Sequence, residues 1–132
     1  MRQLFKTITV SIAAFLLFAC EPGEETGMLA DEAANVSVAE KFIDAFYSFD
    51  SSALESFLDS ATESVPSIVY YQGWAEGGNY KVHDRKPCVV QTLNVVSCSI
   101  TVEDDPMLAL GIDFKVTDTF EITFAGSEII SV

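Results

Sequence analysis

Residues 88–102 read CVVQTLNVVSCSITV and contain a regular strand pattern on both sides of a turn. From Val96 to Val102, the even positions are apolar or cysteine, and the odd positions between them are serine or threonine. Because successive side chains point to opposite faces of a strand, this pattern predicts a β-strand with one buried face. Leu93-Asn94 favours a turn, and the alternation before it reaches back to Tyr80. We therefore predict an antiparallel hairpin.

A second alternating pattern follows the hairpin. Residues 112–124 carry apolar side chains at most even positions and polar ones between them, which predicts one long, half-buried strand. Ala125-Gly126 predicts a turn into a last strand, from Glu128 to Val132. The sequence thus predicts an antiparallel meander with one face to be covered.

Helices are predicted before this meander. Ser37-Val38-Ala39-Glu40 and Ser52-Ala53-Leu54-Glu55 have the capping-box pattern, and an apolar stripe at helical spacing follows the first box. The next stretch, from Pro66 to Asn79, fits either a strand, by the propensity of residues 68–71, or a helix, by its proline start and glycine stop. Helices followed by a meander predict the α+β class.

The first twenty residues have the composition of an export signal. Two basic residues precede an apolar run from Ile8 to Ala19, shorter than the roughly twenty residues that span a bilayer. The run ends in Leu17-Phe18-Ala19-Cys20, which resembles the lipobox of bacterial lipoproteins. The resemblance implies a signal peptide over residues 1–19 and a lipid on Cys20. Ordinary signal-peptidase cleavage nearby is the alternative.

The predicted anchor implies a location in the cell envelope. Glu21 differs from the aspartate associated with inner-membrane retention in enteric bacteria, which favours the periplasmic side of the outer membrane over the inner membrane. Residues 20–35 are acidic and lack apolar periodicity, so they predict a flexible tether to a domain over residues 36–132. The formal net charge of −13 argues against nucleic-acid binding.

Cys88 and Cys98 are the two remaining cysteines. A turn centred on residue 93 places them opposite each other on the apolar face of the hairpin, and export would expose them to oxidation. We predict a disulfide, with two unlinked buried thiols as the alternative. The chain has one histidine and no CxxC pair, so no metal site and no cofactor are predicted.

The order of these parts resembles the nuclear transport factor 2-like superfamily, specifically its SnoaL-like branch. The matching stretches are residues 39–46, Tyr70-Tyr71-Gln72-Gly73-Trp74-Ala75, the pair Cys88 and Cys98, Ala109-Leu110-Gly111, and residues 119–124 with Gly126 and Ile129. The resemblance implies a cone, in which a curved antiparallel sheet holds the N-terminal helices in its concave face around a pocket. It also implies that the segment with Trp74 is a third helix, and that the sheet can form a homodimer.

Two carboxylates interrupt faces that are otherwise apolar, namely Asp84 and Asp118. Each is either an acid inside the pocket, able to move protons beside Tyr80, or the mark of a bulge that turns the acid to water. His83 lies on the polar face of its strand and is predicted to be solvated. The predicted pocket residues are Tyr70, Trp74, Tyr80, Phe114 and Phe120.

Two functional hypotheses follow. The first is a membrane-anchored domain, not an enzyme, that binds a small apolar ligand or a protein partner. The second is a cyclase- or isomerase-like enzyme with Asp118 or Asp84 as general base. The resemblance brings no complete catalytic set, which favours the first.

Overall fold

A computed structural model describes residues 24–132, with side chains described from Ala30 onward. The predicted signal peptide, the lipobox and Cys20 lie outside the described residues. Within them, no helix is both long and apolar enough to cross a membrane. The elements are α1 (Glu24–Tyr47), α2 (Ser51–Glu55), α3 (Val65–Gly77), β1 (Lys81–Arg85), β2 (Val89–Thr92), β3 (Val95–Glu103), α4 (Asp105–Ala109), β4 (Val116–Ala125) and β5 (Glu128–Ser131).

The strands form one curved, open antiparallel sheet, so the predicted α+β class is confirmed. The strand order is β1-β3-β4-β5, and β2 pairs with β3 beyond the end of β1. The single strand predicted from Tyr80 onward is therefore two strands. Pro87 lies in the gap between them and has no amide hydrogen to donate to a ladder.

One face of β3 is buried, as the alternation predicts. Val96, Cys98, Ile100 and Val102 are buried, whereas the serines and threonine between them are half-buried. This face packs with Phe42 and other apolar side chains of α1 and with the buried side chains near the end of β4. The core therefore lies between the helices and one face of the sheet.

The helix starts differ from the prediction. Helix α1 begins at Glu24, thirteen residues before Ser37, so residues 24–35 of the predicted tether are helical in the structure. Asn35 is already buried, so contact with the rest of the domain begins before residue 36. At α2, Asp50 is the N-cap rather than Ser52, because its carboxylate accepts the amide hydrogens of Ser52 and Ala53.

The ambiguous stretch is a helix, α3. Its buried side includes Ile68, Gln72 and Ala75 at helical spacing. The amide Nε2 of Gln72 donates to the carbonyl oxygen of Phe46 at 3.0 Å. Carbonyls in the last turn of a helix lack partners within that helix, so this bond satisfies one of them and ties α3 to the end of α1.

The long strand predicted over residues 112–124 is shorter than expected. Strand β4 begins at Val116, and the preceding residues form the short helix α4 and a loop. Asp104 caps α4 by accepting the amide hydrogen of Met107 at 2.7 Å. Gly111 then takes a positive φ of 71°, which turns the chain and delays the strand.

Candidate functional site

A half-open cleft of about 520 Å³ lies between α3 and β4. Five of its lining side chains are aromatic, and it also contains aliphatic and hydroxyl groups. The lining residues are Phe46, Ser67, Ile68, Tyr71, Trp74, Ala75, Tyr80, Val116, Thr117, Asp118, Thr119, Phe120, Glu121 and Val132. This volume and composition are typical of small-molecule sites.

The cleft is open beside one edge of β4. Residues 116–123 of this strand pair with β3, whereas β5 pairs only with residues 123–125 among the described residues. Helix α3 forms the opposite wall, with Tyr71 and Trp74 facing the cleft. A ligand would therefore contact the aromatic wall of the helix on one side and the strand on the other.

Asp118 is the half-buried carboxylate of the cleft. It belongs to the inward-facing set of β4 with Val116 and Phe120, as the alternation predicts. The Tyr47 hydroxyl donates to its Oδ2 at 2.7 Å. Burial, and then this hydrogen bond to a negative partner, raise the pKa of Tyr47 well above its usual range. Tyr47 therefore stays protonated and keeps donating.

Tyr80 reaches the cleft because of a close approach to glycine. A Cβ on Gly78 would lie 2.7 Å from Cε1 of the Tyr80 ring, so a side chain at position 78 would push the ring away. The Tyr80 amide also donates to the carbonyl oxygen of Ala75 at 2.9 Å. Burial first, and then the charge of Asp118, raise the pKa of Tyr80. Its hydroxyl is thus a donor at neutral pH.

Asp84 lies at a bulge, which is the second of the two alternatives that the sequence allowed. The pairing of β1 with β3 shifts register between Val82 and Asp84, so the chain has a bulge there and Asp84 is exposed. His83 lies in the same bulge and is also exposed. Neither residue lines the cleft, and Asp84 has no access to a ligand held there.

The predicted pocket residues are only partly brought together. Trp74, Tyr80 and Phe120 line the cleft, whereas Tyr70 and Phe114 lie outside it. The Tyr70 ring stacks on Trp74 at a centroid distance of 6.4 Å and supports that residue from outside. Phe114 precedes the start of β4 and is exposed.

Among residues 24–132, no basic side chain lines the cleft. Lys81 pairs with Asp105 at 2.6 Å, Lys115 pairs with Asp113 at 2.5 Å, and Arg85 pairs with two acids of α1. The negative charge of Asp118 is therefore not balanced by an ion pair within the described part of the chain.

Some functional candidates were missed from the sequence. Tyr47 lies beside the apolar stripe of α1 and not in it, so the helical pattern does not single it out. Tyr71 and Ser67 line the cleft because α3 turns that side toward β4. A helical spacing from Ser67 through Tyr71 to Trp74 was the available signal.

The disulfide lies outside the cleft. Cys88 and Cys98 are bonded, with a Cα–Cα distance of 4.4 Å, so the predicted pair is confirmed. The Cys88 amide donates to Oε1 of Glu40 at 2.6 Å, and Arg85 binds Glu40 and Asp44. This cluster fastens the junction of β1 and β2 to α1.

Comparison with known proteins identifies no relative: no family model, no curated protein and no solved structure matches the chain. Among residues 24–132, no three histidine, cysteine, aspartate or glutamate side chains lie together as potential metal ligands.

Proposed function

We propose that this is an exported, lipid-anchored protein whose cleft binds a small, largely apolar molecule. The half-open cleft of about 520 Å³, which five aromatic side chains of the described residues line, is the main support for this proposal. Ligand sites of about 300–1,000 Å³ are usually lined in this way, with a few polar groups that orient the ligand. Asp118 and Tyr80 are suitable polar groups.

The fold part of the proposal is a nuclear transport factor 2-like cone of the SnoaL-like branch. Three features support it: three helices precede the meander, α1 packs against β3, and the sheet is curved. In such a cone the cleft would be the pocket between the helices and the concave face. The outer face of the sheet would be available for a protein partner or a second copy.

The anchoring part depends on the sequence. The apolar run ends at Cys20, and an acyl chain there would hold the domain at a membrane surface. With a net charge of −13 the protein would be repelled by anionic headgroups, so a covalent lipid is the more plausible means of attachment.

Filling the cleft tests ligand binding. We would titrate the full chain, in mild detergent, with the neutral fluorescent probe N-phenylnaphthylamine. Val116→Phe narrows the cleft, whereas Val82→Phe adds the same bulk to an exposed position outside it. We expect the first variant to weaken probe binding and the second to leave it unchanged. Equal binding by both variants would place the probe elsewhere and contradict the proposal.

Native mass spectrometry of the same preparation would extend this test. A small molecule that co-purifies with the protein and is lost in Val116→Phe would name the ligand class. The spectrum would also report whether the protein is a monomer or a homodimer.

A cyclase- or isomerase-like enzyme is the second candidate, and the position of Asp118 favours it. A carboxylate in an apolar cleft can remove a proton from a bound molecule, and Tyr80 could donate to the oxygen that gains charge. Asp84 is exposed, so Asp118 is the base that this hypothesis retains.

A generic base-sensitive probe separates the two candidates. When a carboxylate removes the ring C–H proton of nitrobenzisoxazole, the C–H electron pair forms a nitrile as the N–O bond breaks, and the ring opens to a coloured cyanonitrophenolate. Turnover that Asp118→Asn abolishes and Asp84→Asn preserves would support the enzyme. If the parent protein turns over the probe no faster than Asp118→Asn does, the enzyme hypothesis is contradicted and ligand binding remains the proposed function.

A further inference from the structure

We propose that the cleft selects an organic cation, namely a protonated amine on an apolar body, through Asp118 and the aromatic walls. This inference rests on the proposed ligand binding in the same cleft. It adds the sign and the position of the ligand's charge.

The charge balance of the cleft is the first reason. Among the described residues, the two charged ones that line the cleft, Asp118 and Glu121, are both acidic. Asp118 accepts one hydrogen bond, from Tyr47 to Oδ2, and within the described residues its Oδ1 accepts none. A half-buried carboxylate interacts more strongly with a cation than one in water does, because the surrounding dielectric is lower. An ammonium N–H placed at Oδ1 would use this acceptor.

The aromatic walls are the second reason. Trp74, Tyr71 and Tyr80 line the same cleft as Asp118. Aromatic faces carry partial negative charge and attract cations, and tryptophan does so most strongly. Tyr70 stacks on Trp74 with an interplanar angle of 21°, which restrains the indole. The walls and the carboxylate therefore favour the same sign of ligand charge.

The remaining lining explains why the cation needs an apolar body. Ile68, Ala75, Val116 and Phe120 offer carbon surface and no charge. A bare ammonium ion would leave this surface uncovered, whereas a phenylalkyl or alkyl body would cover it. An anion of the same shape would meet the Asp118 carboxylate and a chain of net charge −13.

Three compounds with one body test the sign of the charge. Phenylbutylamine is a cation at neutral pH, phenylbutanol is neutral and phenylbutyrate is an anion. Trp74 is the sole tryptophan of the chain and lines the cleft, so its fluorescence reports binding directly. For the full chain in a non-ionic detergent, we expect the amine to bind about tenfold tighter than the alcohol, and the anion weakest.

Two matched variants test whether Asp118 is the source of the preference for the amine over the alcohol. Asp118→Asn removes the charge at the cleft and retains an oxygen that can accept from Tyr47. Asp84→Asn removes the same charge at an exposed bulge. We expect the first variant to lose most of the preference for the amine over the alcohol, and the second to keep it. Added salt should weaken amine binding more than alcohol binding.

The outcomes distinguish this inference from the proposed function. Equal affinities for amine and alcohol would overturn the cation inference and leave an apolar binding cleft. A preference for the amine that persists in Asp118→Asn would also overturn it, because the selectivity would then come from elsewhere. No response to any of the three compounds, together with unchanged probe binding in Val116→Phe, would overturn both.

Discussion

The hydroxyl of Tyr47 donates a 2.7 Å hydrogen bond to Oδ2 of Asp118, across 71 positions of sequence. This bond joins the last turn of α1 to the inward face of β4. The Tyr47 ring also meets the Phe120 ring edge-on, at a centroid distance of 6.3 Å. The carboxylate of the cleft is therefore oriented by a residue that packs against the core.

Loss of this bond should destabilise the fold. We expect Tyr47→Phe to lower the free energy of unfolding by about 1–3 kcal/mol, since a half-buried charged acceptor loses its donor. Tyr71→Phe removes the hydroxyl of an exposed tyrosine and should change the free energy of unfolding by less than about 0.5 kcal/mol. Urea denaturation compares the two variants. Equal stabilities would mean that water replaces the Tyr47 hydroxyl without cost.

Alkaline pH should weaken the protein through the same tyrosine. Burial and the bond to Asp118 raise the pKa of Tyr47 above its unfolded value of 10.0. Its contribution to stability is complete below pH 10 and is lost above it, because the unfolded chain releases the proton first. The loss is at most about 1.4 kcal/mol per pH unit. Unfolding measured across this range should show a shallower decline for Tyr47→Phe.

Reduction of Cys88–Cys98 should destabilise the hairpin. The bond links residues 10 apart in sequence, and closing so short a loop contributes about 2–3 kcal/mol by the chain-entropy estimate. A reducing agent should therefore lower the urea midpoint of the parent protein. The double variant Cys88→Ala, Cys98→Ala should show the lower midpoint with or without reductant. An effect of reductant on that variant would contradict the assignment.

Glu40 should matter more for stability than an exposed glutamate does. It accepts the Cys88 amide hydrogen at 2.6 Å and pairs with Arg85. We expect Glu40→Ala to cost about 1–3 kcal/mol, because the Cys88 amide loses its acceptor and the Arg85 guanidinium loses one of its two carboxylate partners. Glu55→Ala changes the net charge equally at an exposed site and should cost less than about 0.5 kcal/mol. Thermal or urea unfolding would show the difference.

Cys20→Ser should abolish lipid attachment. When the chain is expressed in a bacterium, metabolic labelling with a tagged fatty acid should mark the parent protein and not the variant, which should accumulate as an unprocessed precursor. Cys88→Ala, Cys98→Ala keeps Cys20 and serves as the control, with labelling retained. Labelling of Cys20→Ser would refute the lipobox prediction.

Much of the sheet was predictable from local pattern. The alternation around residues 95–102 predicted the buried face of β3, and the turn at Leu93-Asn94 predicted the register that brings Cys88 opposite Cys98. Side-chain direction in a strand depends only on position along the chain, so a single sequence contains it. The limits of β1, β2 and β4 were less well predicted, since they depend on where pairing stops.

The helical region was harder to predict. For residues 65–77, strand propensity and helix-end signals conflict, and neither dominates. In the structure, Gln72 donates to the end of α1 while Ile68 and Ala75 enter the core. These contacts join segments that are distant in sequence, so they cannot be predicted from local propensity.

Alternation is a local property of the chain, so the sequence was sufficient to predict that two carboxylates, Asp84 and Asp118, interrupt apolar faces. Their different positions, one exposed and one in the cleft, depend on contacts between distant segments. A bulge in the pairing of β1 with β3 turns Asp84 to water. Continuous pairing of β4 with β3 keeps Asp118 on the inner face, where Tyr47 from α1 reaches it. Register depends on a partner strand, and a hydrogen bond depends on two distant segments meeting, so neither could be obtained from the pattern of one strand.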